Sequence, residues 1–210
     1  MSQKSAAHFN EIIVFDFDGT ITTRDTFALF LRYYAGTARW AFKILQLSPI
    51  FLAYGLKLID RNRVKAKVIY KFFKGEKVEA VEVAAAKFAN EVIPHLIRPA
   101  AQAALDEAKN KPESLYICSA SITPYLKTWC ENQNIPNLLA TDLEQENGVY
   151  TGRIKGWNIW GPGKIRRILA EFAPYSVRIR EAYGDSRGDK ELLHAAEVSN
   201  WRPFRLIAHQ

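Results

Sequence analysis

Cysteine is scarce in this chain of 210 residues, with Cys118 and Cys130 as its two thiols. Two cysteines cannot form the disulfide framework of a small secreted domain, and no Cys/His spacing is typical of a zinc site. The segment 1–11, MSQKSAAHFNE, lacks the apolar stretch of a secretory signal, so we expect a cytoplasmic protein. Internal repeats and low-complexity tracts are also missing. With 48% apolar and 24% charged residues, the composition indicates a globular rather than a disordered chain.

Acidic residues are few in one basic stretch. Between Lys57 and Lys77, eight basic residues stand against two acidic ones, so this stretch has a net formal charge of +6 in a chain of +7. Such a surface attracts nucleic acid, anionic lipid or a phosphorylated substrate, and a solvated helix face is the competing interpretation.

The remaining sequence alternates between strand and helix patterns. Apolar, β-branched runs predict strands at the following ranges: Glu11–Asp18, Ser114–Ala120, Leu138–Leu143, Ile179–Tyr183 and Val198–Trp201. Helical periodicity predicts helices at Pro99–Lys109, Lys164–Phe172 and Lys190–Glu197. The segment Gly148–Lys155 is predicted to form a short β-excursion or hairpin. This alternation predicts an α/β fold, with a doubly wound parallel sheet covered by helices on both faces.

About ninety residues separate the first two predicted strands, which is far more than a crossover needs. They are mostly helical in pattern. We therefore predict a catalytic core of residues 1–21 and 99–210, with a helical cap domain, residues 22–98, inserted into it.

The string Asp16-Phe17-Asp18-Gly19-Thr20 follows the first hydrophobic strand. The period of a strand would place Asp16 and Asp18 on one side of an extended chain. Two such carboxylates can hold a divalent cation, and one carboxylate can be a covalent nucleophile toward phosphorus. A plain metal site and a turn with two solvated aspartates remain alternatives. Gly19 allows a sharp backbone turn beyond the strand.

Three weaker segments complete the candidate site. Ser119 and Ala120 offer a hydroxyl and backbone N–H groups at a strand end, where serine is also a common turn former. Lys164 starts a helix and could neutralise a phosphate, although most lysines in such positions lie on the surface. Asp185 ends a strand. Asp189 opens the next helix, where a plain helix cap is a serious competing explanation.

Taken in order, DFDGT, SAS, a lysine and GDSRGD resemble the haloacid dehalogenase superfamily of phosphohydrolases over the whole chain. The large helical insertion after the first motif is similar to the cap of its phosphoserine phosphatase-like branch. The resemblance implies a Rossmann-like core. It also implies phosphatase rather than dehalogenase chemistry, because dehalogenases lack the second aspartate, Asp18.

The resemblance implies a role for each motif residue. Asp16 would attack phosphorus, Asp18 would protonate the leaving oxygen and then activate water, and Lys164 would steady the charge. Mg²⁺ is the implied cofactor, held by Asp16, Asp185 and the backbone carbonyl of Asp18, with Asp189 supporting the metal site.

Four residues are expected to contact substrate: Gly19, Asp25, Ser119 and Ala120. Asp25 falls where phosphoserine phosphatases carry a glutamate that contacts substrate. The shorter carboxylate puts phosphoserine itself in doubt, and Asp25 is equally well explained as a helix N-cap.

The run Trp40–Ile59 is apolar, but Lys43, Pro49, Gly55 and Lys57 interrupt it, which makes it short for a membrane span. One interpretation is a pair of amphipathic cap helices packed on each other. The other is a hairpin dipping into a membrane interface, with both lysines reaching the surface. The basic stretch that follows favours peripheral contact of residues 40–77 with an anionic membrane, on its inner face. The layout also resembles the phosphatidylglycerophosphate phosphatases of this branch.

Together these features predict a Mg²⁺-dependent phosphomonoester phosphatase whose substrate is a phosphorylated small molecule or lipid. A phosphomutase of the same superfamily is an alternative. A non-enzymatic module that binds nucleic acid is not expected, because the basic stretch has few interleaved aromatic residues and no known nucleic-acid motif.

Overall fold

A five-stranded parallel sheet forms the centre of the protein, for which a computed structural model describes residues 10–205. The prediction about segment 1–11 lies almost entirely outside these residues. The strands are as follows: β1 Asn10–Phe15, β2 Ser114–Ile122, β3 Asn137–Thr141, β4 Leu143–Glu146, β5 Val149–Ile154, β6 Val177–Gly184 and β7 Val198–Trp201. The sheet order is β3-β2-β1-β6-β7 with every pair parallel, and β4 and β5 form a separate antiparallel hairpin.

Nine α-helices connect or flank these strands within residues 10–205. Their bounds are α1 Thr26–Ala35, α2 Thr37–Gln46, α3 Ser48–Gly55, α4 Arg61–Phe73, α5 Val78–Glu91, α6 Pro99–Ala108, α7 Thr123–Asn132, α8 Pro162–Phe172 and α9 Lys190–Ala195. Short 3₁₀ turns lie at Ile93–Leu96 and Arg187–Asp189.

The central strand β1 is buried on both faces, with no exposed surface from Ile12 to Phe15. Successive side chains of a strand point to opposite faces. Ile13 and Phe15 accordingly join a core cluster with α6 and α7, whereas Ile12 and Val14 join a second cluster with α8 and α9. Helices therefore cover both faces, and the predicted doubly wound parallel sheet is confirmed.

The predicted end of the first strand was wrong. β1 ends at Phe15, and residues Phe17–Ile21 form a single wide turn in which Gly19 has φ of +83°. Asp18 is thus presented by a turn rather than by the pleat of a strand. β2, in contrast, continues two residues beyond the predicted end, to Ile122, so Ser119 lies inside the strand rather than at its end.

Helices α1 to α5 form the segment predicted as a cap. The two chain crossings between this segment and the sheet lie side by side: Thr22 pairs with Ile97 in an isolated antiparallel bridge, and the Arg98 N–H donates to the Ile21 carbonyl at 2.9 Å. This pairing coincides with the predicted boundaries, which remain a prediction. In residues 10–205, no helix is both long and apolar enough to cross a membrane.

Candidate active site

Asp16 lies one residue beyond β1 and is 5% exposed. Its backbone N–H donates to the Tyr183 carbonyl of the adjacent strand at 2.9 Å. One side-chain oxygen accepts from the Thr20 hydroxyl at 2.8 Å, and the other accepts from Lys164 Nζ at 2.5 Å. Burial raises the pKa of Asp16 to about 7, because the Lys164 ammonium offsets only part of the desolvation and Asp189 adds negative charge. The orientation of the Asp16 carboxylate is therefore fixed, and the positive charge of Lys164 alone does not compensate for its burial.

Lys164 lies in the first turn of α8 and is 1% exposed, so it is not a surface lysine. Its ammonium bridges Asp16 at 2.5 Å and Asp189 at 2.6 Å. Burial disfavours the charged form, but the two carboxylates outweigh it and raise the pKa of Lys164 above its ordinary value. Lys164 therefore stays charged beside Asp16.

Asp189 is fully buried and accepts hydrogen bonds at both of its side-chain oxygens. Its Oδ2 accepts from the Ser186 N–H and hydroxyl, both at 2.8 Å, and from the Asp185 N–H at 3.2 Å. Its Oδ1 accepts from Lys164. Burial acts to raise the pKa of Asp189, but Lys164 and the Ser186 donors hold it below the ordinary value. The Asp189 side chain therefore does not provide the cap of α9 that its sequence position suggested. It closes the 3₁₀ turn Arg187–Asp189 with Ser186, and it positions Lys164.

Asp18 has a different environment, made of hydroxyls rather than a cation. Its Oδ1 accepts from the Thr26 N–H at 2.6 Å and from the Thr26 hydroxyl at 2.5 Å, and its Oδ2 accepts from the Ser121 hydroxyl. Burial raises the pKa of Asp18, with the negative charge of Asp25 adding to it. A raised pKa makes a carboxyl easier to protonate, which is the change that a general acid needs.

Asp185 lies one residue beyond β6, the neighbour of β1. Its oxygens accept from Arg205 Nε at 2.5 Å and from Arg205 Nη2 at 2.6 Å, an ion pair that the sequence did not reveal. A Cβ on Gly19 would come within 3.0 Å of Asp185 Oδ1, at a residue whose positive φ already favours glycine. Gly19 therefore keeps the space between the Asp18 turn and Asp185 open.

Of the remaining predicted substrate residues, Ser119 is fully buried and its hydroxyl accepts from the Ser121 N–H at 3.0 Å. Ala120 and Ser121 line the cavity described next. Asp25 caps α1, accepting from the Ala28 N–H at 2.9 Å, and also lines that cavity. The cap role of Asp25 is thus observed, and its contact with substrate stays a prediction.

A cavity of about 580 Å³ lies between the sheet edge and the helices α1 to α4. Its inner end contains the polar side chains of five residues that the sequence or the geometry singles out: Asp16, Asp18, Ser121, Lys164 and Asp189. Its walls are mostly apolar and come from the helical segment: Phe27, Leu31, Trp40, Ile44, Phe51, Tyr54, Val64 and Val68. Four charged residues of the helical segment, Arg24, Asp25, Arg61 and Lys65, also line the cavity, so its mostly apolar wall carries some charge as well.

Lys65 of α4 reaches this cavity, which the sequence interpretation missed. Its ammonium donates to the Ala120 carbonyl and lies 4.6 Å from the centre of the Phe27 ring. Burial lowers the pKa of Lys65 to about 8, against the opposing charges of Asp18 and Asp25. Lys65 belongs to the site and not to the exposed basic surface of α4.

Comparison with known proteins places this site in a family. Residues 13–194 match the family described as haloacid dehalogenase-like hydrolase. The chain belongs to the haloacid dehalogenase-like hydrolase family. It is also 36% identical to protein CicA of Caulobacter vibrioides over 197 residues, which are 92% of this chain and 86% of CicA. The predicted family is confirmed.

Solved structures agree with this haloacid dehalogenase-like fold. A protein of unknown function from Bordetella pertussis Tohama I superposes with a TM-score of 0.76 at 18% identity, over 92% of this chain and 89% of that one. A phospho-aspartyl intermediate analogue of phosphoserine phosphatase superposes with a TM-score of 0.57 at 18% identity, over 90% and 84% of the two chains. At such identities the likeness concerns the fold alone.

A divalent cation is the remaining expected part of a haloacid dehalogenase-like site. Within residues 10–205, no three Asp, Glu, His or Cys side chains are grouped as metal ligands. The Asp16 and Asp185 carboxylates and the Asp18 carbonyl are the candidate ligands. The two carboxylates are also paired, with Lys164 and Arg205, and a carboxylate oxygen can accept from a donor and bind a cation together. These are the hard oxygen donors that Mg²⁺ prefers, and Mg²⁺ commonly takes few protein ligands and completes its shell with water and phosphate. The raised pKa of Asp16 and the space kept by Gly19 fit such an ion.

Proposed function

We propose that this hydrolase is a Mg²⁺-dependent phosphomonoester phosphatase that forms a phospho-aspartate on Asp16. The observation that carries the proposal is the unequal treatment of two neighbouring carboxylates. Burial raises the pKa of both, but only Asp16 accepts from a cation, Lys164, which favours its ionised form and suits a nucleophile. Asp18 accepts from hydroxyl and amide donors alone, which suits a group that exchanges a proton.

In the first step, an Asp16 oxygen attacks phosphorus and forms an oxygen–phosphorus bond. The bond from phosphorus to the substrate oxygen breaks, and the Asp18 proton passes to that leaving oxygen. In the second step, the Asp18 carboxylate takes a proton from water, and the resulting hydroxide attacks phosphorus. The bond between Asp16 and phosphorus breaks, so inorganic phosphate leaves, the Asp16 carboxylate is restored, and Asp18 again carries its proton.

Phosphoryl transfer depends chiefly on positioning and charge neutralisation. Lys164 supplies a fixed positive charge beside Asp16, and Asp189 holds that lysine in place. The residues that would hold Mg²⁺ are Asp16, Asp185 and the Asp18 carbonyl. When bound, the ion adds charge neutralisation at the phosphate.

Further support comes from the likeness to phosphoserine phosphatase, one of whose structures contains a phospho-aspartyl intermediate analogue. The proposed compartment is the cytoplasm, which the two free, buried cysteines support. The proposed substrate is a phosphorylated small molecule or lipid. Nucleic acid is not proposed as a partner.

The activity is tested with p-nitrophenyl phosphate and purified protein. We expect phosphate release that needs Mg²⁺, stops on chelation with EDTA and returns on re-addition of Mg²⁺. Analysis of the products with an added acceptor alcohol distinguishes hydrolysis from transfer, the outcome expected of a phosphomutase. A protein with no Mg²⁺-dependent turnover on a broad panel of phosphomonoesters would contradict the proposal.

Lys65 gives this activity an expected pH dependence. Because its pKa is lowered to about 8, Lys65 is charged below pH 8 and neutral above it. A charged Lys65 attracts a phosphate group into the cavity, so kcat/KM should fall as the pH rises through about 8. In Lys65→Arg the cation persists at higher pH, and this fall should move to more alkaline pH. An unchanged profile in Lys65→Arg would show that Lys65 does not meet the substrate.

A further inference from the structure

The helices α2 and α3 expose an unusual amount of apolar surface. Neither helix contains a buried residue. Across residues 10–205, six large apolar side chains are at least 60% exposed, and five of them lie within 17 residues at exposures of 60–71%: Phe42, Leu45, Leu52, Leu56 and Leu58. Exposed apolar surface concentrated in this way marks a contact with a partner or a membrane.

The same region is strongly basic. From Thr26 to Ile59 there is no acidic residue, and residues 26–77 contain eleven basic and two acidic residues, a net charge of +9. Arg63 and Lys67 of α4 are exposed, and the exposed Lys57 lies two residues after the end of α3. Positive charge beside exposed apolar side chains complements a surface that is anionic outside and apolar within, which is an anionic bilayer.

Helices α2 and α3 together, residues 37–55, are called the α2–α3 hairpin below, and they also form part of the cavity wall. Trp40 and Ile44 of α2, with Phe51 and Tyr54 of α3, line the cavity whose inner end contains Asp16 and Lys164. The apolar wall is thus continuous with the exposed apolar side chains on these two helices. The Asp16/Lys164 end suits a phosphate group, and the four apolar and aromatic side chains of α2 and α3 suit an apolar chain attached to that phosphate.

The geometry limits how deep the hairpin can go. Helices of ten and eight residues are about 15 Å and 12 Å long, whereas the hydrocarbon core of a bilayer is about 30 Å thick. Lys43 is also committed to the protein, since its ammonium donates to the Phe72 carbonyl at 3.3 Å and lies 5.0 Å from the centre of the Phe72 ring. Lys43 therefore does not reach outward as the sequence had suggested.

We infer that the α2–α3 hairpin inserts into the interface of an anionic bilayer and that the substrate is a phosphomonoester carried on an apolar chain in that bilayer. The inference rests on the proposed phosphatase activity and adds the substrate class to it. The hairpin positions the cavity against the lipid surface, α4 holds the anionic headgroups, and the phosphate reaches Asp16 while the chain follows the apolar wall.

The test compares two rates in one set of variants: hydrolysis of phosphatidic acid in phosphatidylcholine vesicles and hydrolysis of p-nitrophenyl phosphate in solution. The double variant Leu45→Gln/Leu52→Gln removes two exposed side chains that do not line the cavity, and glutamine keeps good helix propensity. We expect its partitioning onto vesicles containing phosphatidylglycerol, and its rate on phosphatidic acid, to fall at least about 100-fold. Its rate on p-nitrophenyl phosphate should stay within about twofold. The matched control Val83→Gln/Leu169→Gln changes exposed apolar residues of α5 and α8 and should leave both rates unchanged.

Charge is tested separately with Arg63→Glu/Lys67→Glu, matched by Lys155→Glu/Lys190→Glu on the core. The first pair should weaken binding to phosphatidylglycerol vesicles at least about tenfold, and the second pair should not.

The outcomes separate this inference from the proposed function. A wild type that hydrolyses p-nitrophenyl phosphate but ignores both vesicles and phosphatidic acid overturns the membrane inference and leaves the phosphatase intact. The membrane inference is also overturned if the wild type dimerises without lipid and Leu45→Gln/Leu52→Gln weakens this dimer but leaves vesicle binding unchanged. The exposed apolar side chains would then contact a second copy of the chain. A wild type with no activity on p-nitrophenyl phosphate, phosphatidic acid or any other phosphomonoester contradicts the proposed function itself.

Discussion

Replacement of Asp16 by asparagine is expected to lower the phosphatase rate at least about 10³-fold, because the nucleophile is lost while its shape and most of its contacts remain. The asparagine side chain would keep the position beside Thr20 and Lys164 but could not form the oxygen–phosphorus bond. The rate on p-nitrophenyl phosphate at saturating Mg²⁺ measures the effect.

A suitable control is Asp60→Asn, which changes an exposed aspartate at the N-terminus of α4 outside the catalytic cavity. Asparagine caps helices as well as aspartate does, so this variant should keep the wild-type rate. An Asp16→Asn protein that is folded and retains a rate within about tenfold of wild type would rule out Asp16 as the nucleophile.

The second large effect concerns stability. Lys164→Met should lower the free energy of unfolding by about 3–5 kcal/mol, because Asp16 and Asp189 would be left as buried carboxylates without their shared cation. Urea unfolding followed by circular dichroism measures the loss. Lys190→Met, which removes an exposed lysine at the start of α9, should change stability by no more than about 0.5 kcal/mol.

The pH dependence of this loss has a definite sign. In the wild type, Lys164 helps to hold the pKa of Asp189 below its ordinary value. Without Lys164, burial raises the folded-state pKa of the two carboxyl groups above the unfolded value, so their protonation favours the folded state. The stability difference between wild type and Lys164→Met should therefore shrink as the pH falls from about 8 to about 5. A difference that grows as the pH falls would show that Lys164 does not compensate these carboxylates.

Much of the core could be predicted from the sequence because its signals are local. The buried strand before Asp16 is a continuous apolar run, and such runs identify strands covered on both faces. The end of that strand was mispredicted at Asp18, since an alternating pattern extends through Asp16 and Asp18 whether the chain is straight or turned. In the turn, Asp18 accepts hydrogen bonds from Thr26, eight residues further along the chain. An alternating strand pattern contains no information about such a contact.

The site was predicted in part, for a comparable reason. Asp16, Asp18, Lys164 and Asp189 were expected together because they stand in motifs, and the structure brings all four to one cavity. Arg205, which pairs with Asp185, stands in no motif and lies 20 residues away.

Lys65 did leave a signal. It falls three and seven residues before the buried Val68 and Phe72, on the apolar stripe of α4. A lysine on that stripe points toward the core. We counted Lys65 only as one of the charges of the basic stretch and therefore did not predict its place in the site. The net charge of a segment therefore says little about where each cation lies.

The central claim, a covalent phosphate on Asp16, is tested most directly with Asp18→Asn. An aryl phosphate has a good leaving group, so the first step should proceed without the Asp18 proton, while hydrolysis of the intermediate should slow by about 10²–10⁴-fold for lack of the general base. After incubation with p-nitrophenyl phosphate and Mg²⁺ and an acid quench, mass spectrometry should find one phosphoryl group on the peptide that contains Asp16. A phosphoryl group on another residue, or an Asp18→Asn protein that turns over at the wild-type rate without any acyl phosphate, would contradict it.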